Sequence, residues 1–87
     1  MSNIDQLRSK IDAITLEMIK LLKERTDISK QIGELKKSSG LGIFDETREE
    51  QLRKEVGELC KQIGLDESLG KKFLNFLLNE SIKVQTD

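Results

Sequence analysis

Two cations of this sequence lie on what should be the apolar face of a helix. An apolar residue recurs at every third or fourth position between residues 4 and 35, and Arg25 interrupts this series where an apolar residue is expected. Lys36 follows eleven residues later, which returns a helix to within about 20° of the same direction, about 16 Å further along. The two side chains therefore project from one face, and both can lean toward a small anion lying between them.

Further polar residues fall on the apolar faces of two later helical segments. Arg48 precedes Leu52 by four positions and Glu49 precedes it by three, so both extend the apolar face of their helix. Ser81 and Gln85 continue an apolar stripe near the C-terminus. Burying such charges without partners would cost on the order of several kcal/mol each. Their convergence inside a helical bundle predicts a pocket for an anionic small molecule.

Apolar periodicity and capping residues predict an all-α chain. The first helix covers about residues 4–37 and would be about 50 Å long, and the second covers about residues 45–63. Gly64 suits the C-terminal cap of the second helix, and Asp66 suits the N-terminal cap of the third. The flexible connection is the SSGLG loop at residues 38–42. We therefore expect one domain spanning residues 1–87, with one long and two shorter helices.

The bulk composition narrows the class of protein. The 87 residues are 36% apolar and 36% charged with a net charge of −1, which argues against disorder and against a general nucleic-acid or membrane binder. The sequence has no apolar run of about 18 residues and no signal-peptide pattern. Its single cysteine, Cys60, cannot form an internal disulfide and is expected to be a buried thiol. These features predict a cytoplasmic location.

The length of the first helix predicts a homodimer. A compact chain of this size has a radius of gyration of about 12 Å, so two shorter helices cannot cover a helix of about 50 Å. A second copy of the chain, packed against the first helix, would bury the apolar residues that the two shorter helices leave exposed. Arg8 lies seventeen residues from Arg25, about 25 Å along the helix, and it can reach a pocket only in the partner chain. A two-fold axis would then create two equivalent shared sites.

An alternative hypothesis is that these charged residues bind no ligand and have structural roles. An arginine within a heptad seam often pairs with a glutamate and sets the register of two helices. Arg48 has acidic neighbours with which it can form solvated ion pairs. Under this hypothesis, the chain is a helical dimerisation module without a catalytic site.

Four segments of the sequence form a recognisable set of motifs. They are IDQLRSKIDAIT followed after two residues by MIKLLKER (residues 4–25), GELK (33–36), DETREE (45–50) and ESIKVQ (80–85). In this order, and without gaps across nearly the whole chain, they resemble the all-helical chorismate mutases in their stand-alone, single-domain form.

The resemblance implies a Claisen rearrangement of chorismate to prephenate, on the route to phenylalanine and tyrosine. It implies an intertwined helical dimer with two shared sites and no metal or cofactor. Arg25 and Arg48, together with Arg8 from the partner chain, would bind the two carboxylates of the substrate. The other site residues would be Lys36 and Gln85 at the ether oxygen, Glu49 and the backbone of Asp45 at the ring hydroxyl, and Ser81 at the ring carboxylate.

The same resemblance leaves one enzymatic alternative. Isochorismate-pyruvate lyases share a similar pocket and also depend on a lysine in a loop. The SSGLG loop contains no lysine, and the nearest lysines, Lys36 and Lys37, precede it. We therefore favour the mutase.

Overall fold

A computed structural model describes residues 3–39 and 46–86 of the chain. These residues form three helices: α1 (Asn3–Ser39), α2 (Glu46–Ile63) and α3 (Glu67–Thr86). The predicted all-α fold, with one long and two shorter helices, is confirmed. The first residue predicted for the second helix, Asp45, lies outside the described residues, as do residues 40–42 of the predicted loop.

A tight turn joins α2 to α3, and local sequence accounts for it. Gly64 adopts a positive φ of 75°, which favours glycine because it has no side chain. The amide of Leu65 donates to the carbonyl of Cys60 at 2.9 Å, as in a Schellman C-cap. The carboxylate of Asp66 accepts from the amide of Ser68 at 2.8 Å and caps α3. Both predicted caps are confirmed.

α3 packs against both α1 and α2 and forms the centre of the chain. The buried apolar side chains are Cys60 on α2 and Leu74 and Leu78 on α3. Cys60 is therefore a buried thiol, as predicted. Its sulfur lies directly over Gly70 of α3, where a Cβ atom would collide with it. The absence of a side chain at Gly70 allows α2 and α3 to approach closely.

The apolar side chains of α2 and α3 are only partly buried within a single chain. On α2, Leu59 and Ile63 are exposed. On α3, Leu69, Phe73 and Phe76 are also exposed. The apolar residues of α3 occupy two faces, and only the face carrying Leu74 and Leu78 packs within the chain. Apolar content alone did not distinguish these two faces.

The chain is much more extended than a compact protein of its length. Its radius of gyration is 16.5 Å and its extents are 57 × 25 × 14 Å, whereas about 12 Å is expected for the radius of gyration. The accessible surface is 7129 Å², against about 5,200 Å² for a folded monomer of this mass. An apolar stripe of α1 remains exposed: Ile4, Leu7, Ile11, Ile14, Met18 and Leu21.

Candidate active site

The three helices enclose a cleft at the C-terminal half of α1. Its volume is about 270 Å³, close to the lower end of the range for small-molecule sites. Polar and apolar side chains alternate around it. The cleft is lined by Arg25, Ile28, Ser29, Ile32 and Lys36 of α1, by Arg48 and Glu49 of α2, and by Leu78, Ser81, Ile82 and Gln85 of α3.

Arg25 crosses from α1 to α3 and is held there by two acceptors. One guanidinium nitrogen donates to the carbonyl of Leu77 at 3.0 Å and to the hydroxyl of Ser81. Burial of the guanidinium, with the charge of Arg48 as a second cause, lowers the pKa of Arg25 from its ordinary value. An arginine nevertheless stays protonated at neutral pH. Arg25 is therefore a fixed cation with a second cation close enough to repel it.

A pair of serines continues the contact between α1 and α3 by one helical turn. The hydroxyls of Ser29 and Ser81 lie 3.2 Å apart, and either can donate to the other. Ser29 is buried, and Ser81 also accepts from Arg25. This chain of three polar side chains positions the Arg25 guanidinium against the cleft wall.

The first turn of α2 contributes a buried carboxylate and a second arginine. Glu49 is buried, and Arg53, one turn further along α2, donates to its Oε1 at 3.4 Å. This ion pair holds the Glu49 carboxylate at the edge of the cleft, where it can accept a hydrogen bond from a hydroxyl group. Arg48 is more exposed and lines the same edge. The edge thus combines an anion-binding group with a hydrogen-bond acceptor.

Gln85, in the last turn of α3, closes the cleft. The residue is buried, and its Oε1 atom has no hydrogen-bond partner among the described residues. An unpaired buried polar atom costs about 1–3 kcal/mol, so its presence at a cleft wall points to a ligand that satisfies it. A half-turn of the amide exchanges its oxygen and nitrogen, so the same position can present an acceptor or a donor.

The structure brings together six of the eight residues predicted for the site. Arg25, Lys36, Arg48, Glu49, Ser81 and Gln85 all line the one cleft. Asp45 lies outside the described residues. Arg8 is exposed near the other end of α1 and does not line the cleft of its own chain. This position agrees with the expectation that Arg8 cannot reach the pocket of the same chain.

Sequence reasoning did not include Ser29 among the site residues. It lies four residues after Arg25 on the same helical face, and this spacing was the available signal. Its hydrogen bond to Ser81 depends on how α1 and α3 are aligned, which a helical period does not reveal. The apolar walls of the cleft, Ile28, Leu78 and Ile82, were likewise not assigned to the site.

Comparison with known proteins identifies the family. The model for chorismate mutase type II matches residues 7–86. The chain belongs to this family. It is also 32% identical over 80 residues to a chorismate mutase of Methanocaldococcus jannaschii, an alignment that covers 92% of this chain and 81% of that protein.

Two longer relatives match over a smaller part of their length. A bifunctional chorismate mutase/prephenate dehydratase of Aquifex aeolicus is 35% identical over 63 residues, which are 72% of this chain and 17% of that protein. A 3-dehydroquinate dehydratase of Pyrobaculum aerophilum is 39% identical over 57 residues, which are 66% of this chain and 19% of that protein. Within the described part of this chorismate mutase family member, none of the helices is sufficiently long and apolar to span a membrane.

Proposed function

We propose that this chorismate mutase converts chorismate to prephenate inside the cleft between its three helices. The observation that carries this proposal is that Arg25, Lys36 and Arg48, from two helices, line one cleft. The lining includes three cations and one carboxylate, Glu49, and this excess of positive charge favours a dicarboxylate substrate. Arginine forks bind carboxylates through two parallel hydrogen bonds, which also fix the orientation of the substrate.

The proposed chemistry needs geometry and charge rather than proton transfer. A Claisen rearrangement breaks a C–O bond and forms a C–C bond in one step, with no nucleophile and no proton to move. Holding the normally extended substrate in its compact, reactive conformer removes an entropic part of the barrier. The chain contains no histidine. This agrees with a mechanism that needs no general acid or base.

Lys36 and Gln85 are the proposed catalytic residues at the ether oxygen. Negative charge grows on this oxygen as its bond to carbon stretches. A donor that is already in place interacts more strongly with the transition state than with the ground state, and this difference raises turnover. The buried Oε1 atom of Gln85 has no hydrogen-bond partner among the described residues, and a half-turn of the amide would present its NH₂ donor there instead, as this role requires.

The remaining site residues are proposed to bind the substrate rather than to act on the breaking bond. Glu49 accepts a hydrogen bond from the ring hydroxyl, and the backbone of Asp45 contacts the same hydroxyl. Ser81 assists at the ring carboxylate, and its contact with the Arg25 guanidinium supports this position. Arg48 is proposed to act in catalysis as well as in binding, because it lines the same cleft as Lys36.

The active form is proposed to be an intertwined homodimer with two shared sites. The exposed apolar stripe of α1 supports this assembly, as does an accessible surface about 1,900 Å² larger than a monomer of this mass should have. Covering that surplus on both chains would bury about 3,800 Å², within the range of obligate homodimers. In this dimer, Arg8 of the partner subunit completes the carboxylate site.

We also propose the domain organisation and the cellular location of this protein. Residues 1–87 act as one chorismate-mutase domain that requires no metal or cofactor. We place the enzyme in the cytoplasm, where the buried Cys60 thiol stays reduced.

An absorbance assay tests the proposed function directly. The purified protein is incubated with chorismate, and the loss of near-ultraviolet substrate absorbance is followed. The chain has no Trp or Tyr, so the protein background is low. Formation of prephenate above the uncatalysed rate is the expected result. Release of pyruvate from isochorismate would instead support a lyase, and no reaction with either compound would favour a non-catalytic dimerisation module.

A further inference from the structure

α1 and α3 meet along a ladder of residues spaced by one helical turn. Arg25 contacts the Leu77 carbonyl and Ser81, and Ser29 contacts Ser81 one turn later. The next turn places Gly33 against Gln85. The α1 side chains shrink along this ladder from arginine to serine to no side chain at all, so the two helices come into backbone contact at its end.

The contact at Gly33 leaves no room for a side chain. A Cβ atom built there would lie 2.9 Å from the Cα of Gln85, 3.2 Å from its Cβ and 3.2 Å from its carbonyl oxygen. Carbon atoms in ordinary contact are about 3.5–4.0 Å apart. The nearest obstacle is backbone and cannot rotate away. An alanine at Gly33 would therefore have to move the last turn of α3 outward by about 0.6–1.1 Å.

This contact acts on a buried residue whose side-chain oxygen is not held by a hydrogen bond within the described residues. The Oε1 atom of Gln85 has no hydrogen-bond partner among the described residues. The position of the amide therefore depends strongly on where the α3 backbone lies. Catalytic groups must be held within about 0.5 Å of their productive position, so the expected displacement is large enough to matter.

We infer that Gly33 is a positioning residue that sets the catalytic amide of Gln85 at the wall of the cleft. The inference rests on the proposed function, because it takes the amide of Gln85 to act on the substrate. Gly33 itself does not line the cleft. Its contribution is the closeness with which α3 can approach α1.

The Gly33→Ala variant tests this role through kinetics rather than through folding. Alanine favours helices more than glycine does, so intrinsic helix preference supports the variant. We expect kcat for chorismate to fall by up to about 100-fold, the loss that a displacement of about 1 Å can cause. KM should change much less, because Arg25 lies two turns away along the ladder and Arg48 lies on a different helix, α2.

A double-variant cycle separates positioning from general disruption. Gln85→Ala removes the amide, so adding Gly33→Ala to it should lower kcat no further. Gly57→Ala is the matched control, since Gly57 is also a buried helical glycine and its Cβ would meet only the mobile end of Glu67, at 3.0 Å. This control should retain the kcat of the unchanged protein.

Each outcome decides between the hypotheses. An unchanged kcat in Gly33→Ala, or losses that multiply in the double variant, would overturn the positioning role while leaving the proposed function intact. An unchanged protein that does not consume chorismate would overturn the proposed function and this inference with it. If Gly33→Ala does not fold, a nuclear Overhauser contact between the α-protons of Gly33 and Gln85 in the unchanged protein is measured instead, and its absence would overturn the inference.

Discussion

The exposed stripe of α1 makes the oligomeric state the sharpest test of the architecture. Ile14 lies in the middle of the stripe and is 61% exposed in the single chain. Full burial of an isoleucine side chain is worth about 1.5–3 kcal/mol, so covering its exposed part contributes about 1–2 kcal/mol per chain. A two-fold axis presents the residue twice, which gives about 2–4 kcal/mol per dimer.

The Ile14→Asp variant removes this contribution and adds the cost of burying a carboxylate. The lost apolar contacts alone should weaken the dimer about 30- to 700-fold, and the buried charge should weaken it further. Sedimentation at several protein concentrations measures the dissociation. Chorismate turnover should fall in parallel, because each site would lose Arg8 of the partner subunit.

Leu16→Asp is the matched control for this experiment. Leu16 is 64% exposed, nearly the same as Ile14, but it lies off the stripe, on another face of α1. The control should remain dimeric and active. A wild-type chain that sediments as a monomer and still turns over chorismate at its full rate would refute the reasoning, as would equal effects of the two substitutions.

Three further predictions concern the cleft. Lys36→Ala should lower kcat by about 10²–10³-fold with little unfolding, because it removes a donor at the developing oxyanion; steady-state kinetics and thermal unfolding measure the two effects. Mixing Arg8→Ala chains with Lys36→Ala chains should restore part of the activity, since one site of each mixed dimer keeps both residues. No recovery after verified subunit exchange would contradict shared sites. Finally, a non-reactive dicarboxylate analogue at 100 times its Kd should stabilise the fold by about 2.7 kcal/mol, and Arg25→Leu should abolish that gain in a thermal-shift assay.

The helices of this chain were predictable because their signals are local. The spacing of apolar residues defines α1, and Gly64 and Asp66 mark the turn between α2 and α3 through their own backbone preferences. The same periodicity showed that Arg25 and Lys36 share a face. The resemblance to chorismate mutases then supplied the roles of these residues, which spacing alone left open.

The packing of the apolar residues was only partly predictable. α3 carries apolar side chains on two faces, and the choice of Leu74 and Leu78 over Phe73 and Phe76 for the interior depends on where α1 and α2 lie. Local periodicity contains no information about the positions of other helices. For the same reason, the exposure of Leu59 and Ile63 on α2 could not be predicted from the sequence.

The amino-acid sequence thus determines which faces of the helices carry charge, because a helical face depends only on the spacing of residues along one segment. The tertiary structure decides the alignment of α1 with α3, which pairs Ser29 with Ser81 and Gly33 with Gln85. That alignment depends on the sizes of side chains that meet across two helices separated by half the chain. Six predicted polar residues become one cleft only when those sizes match.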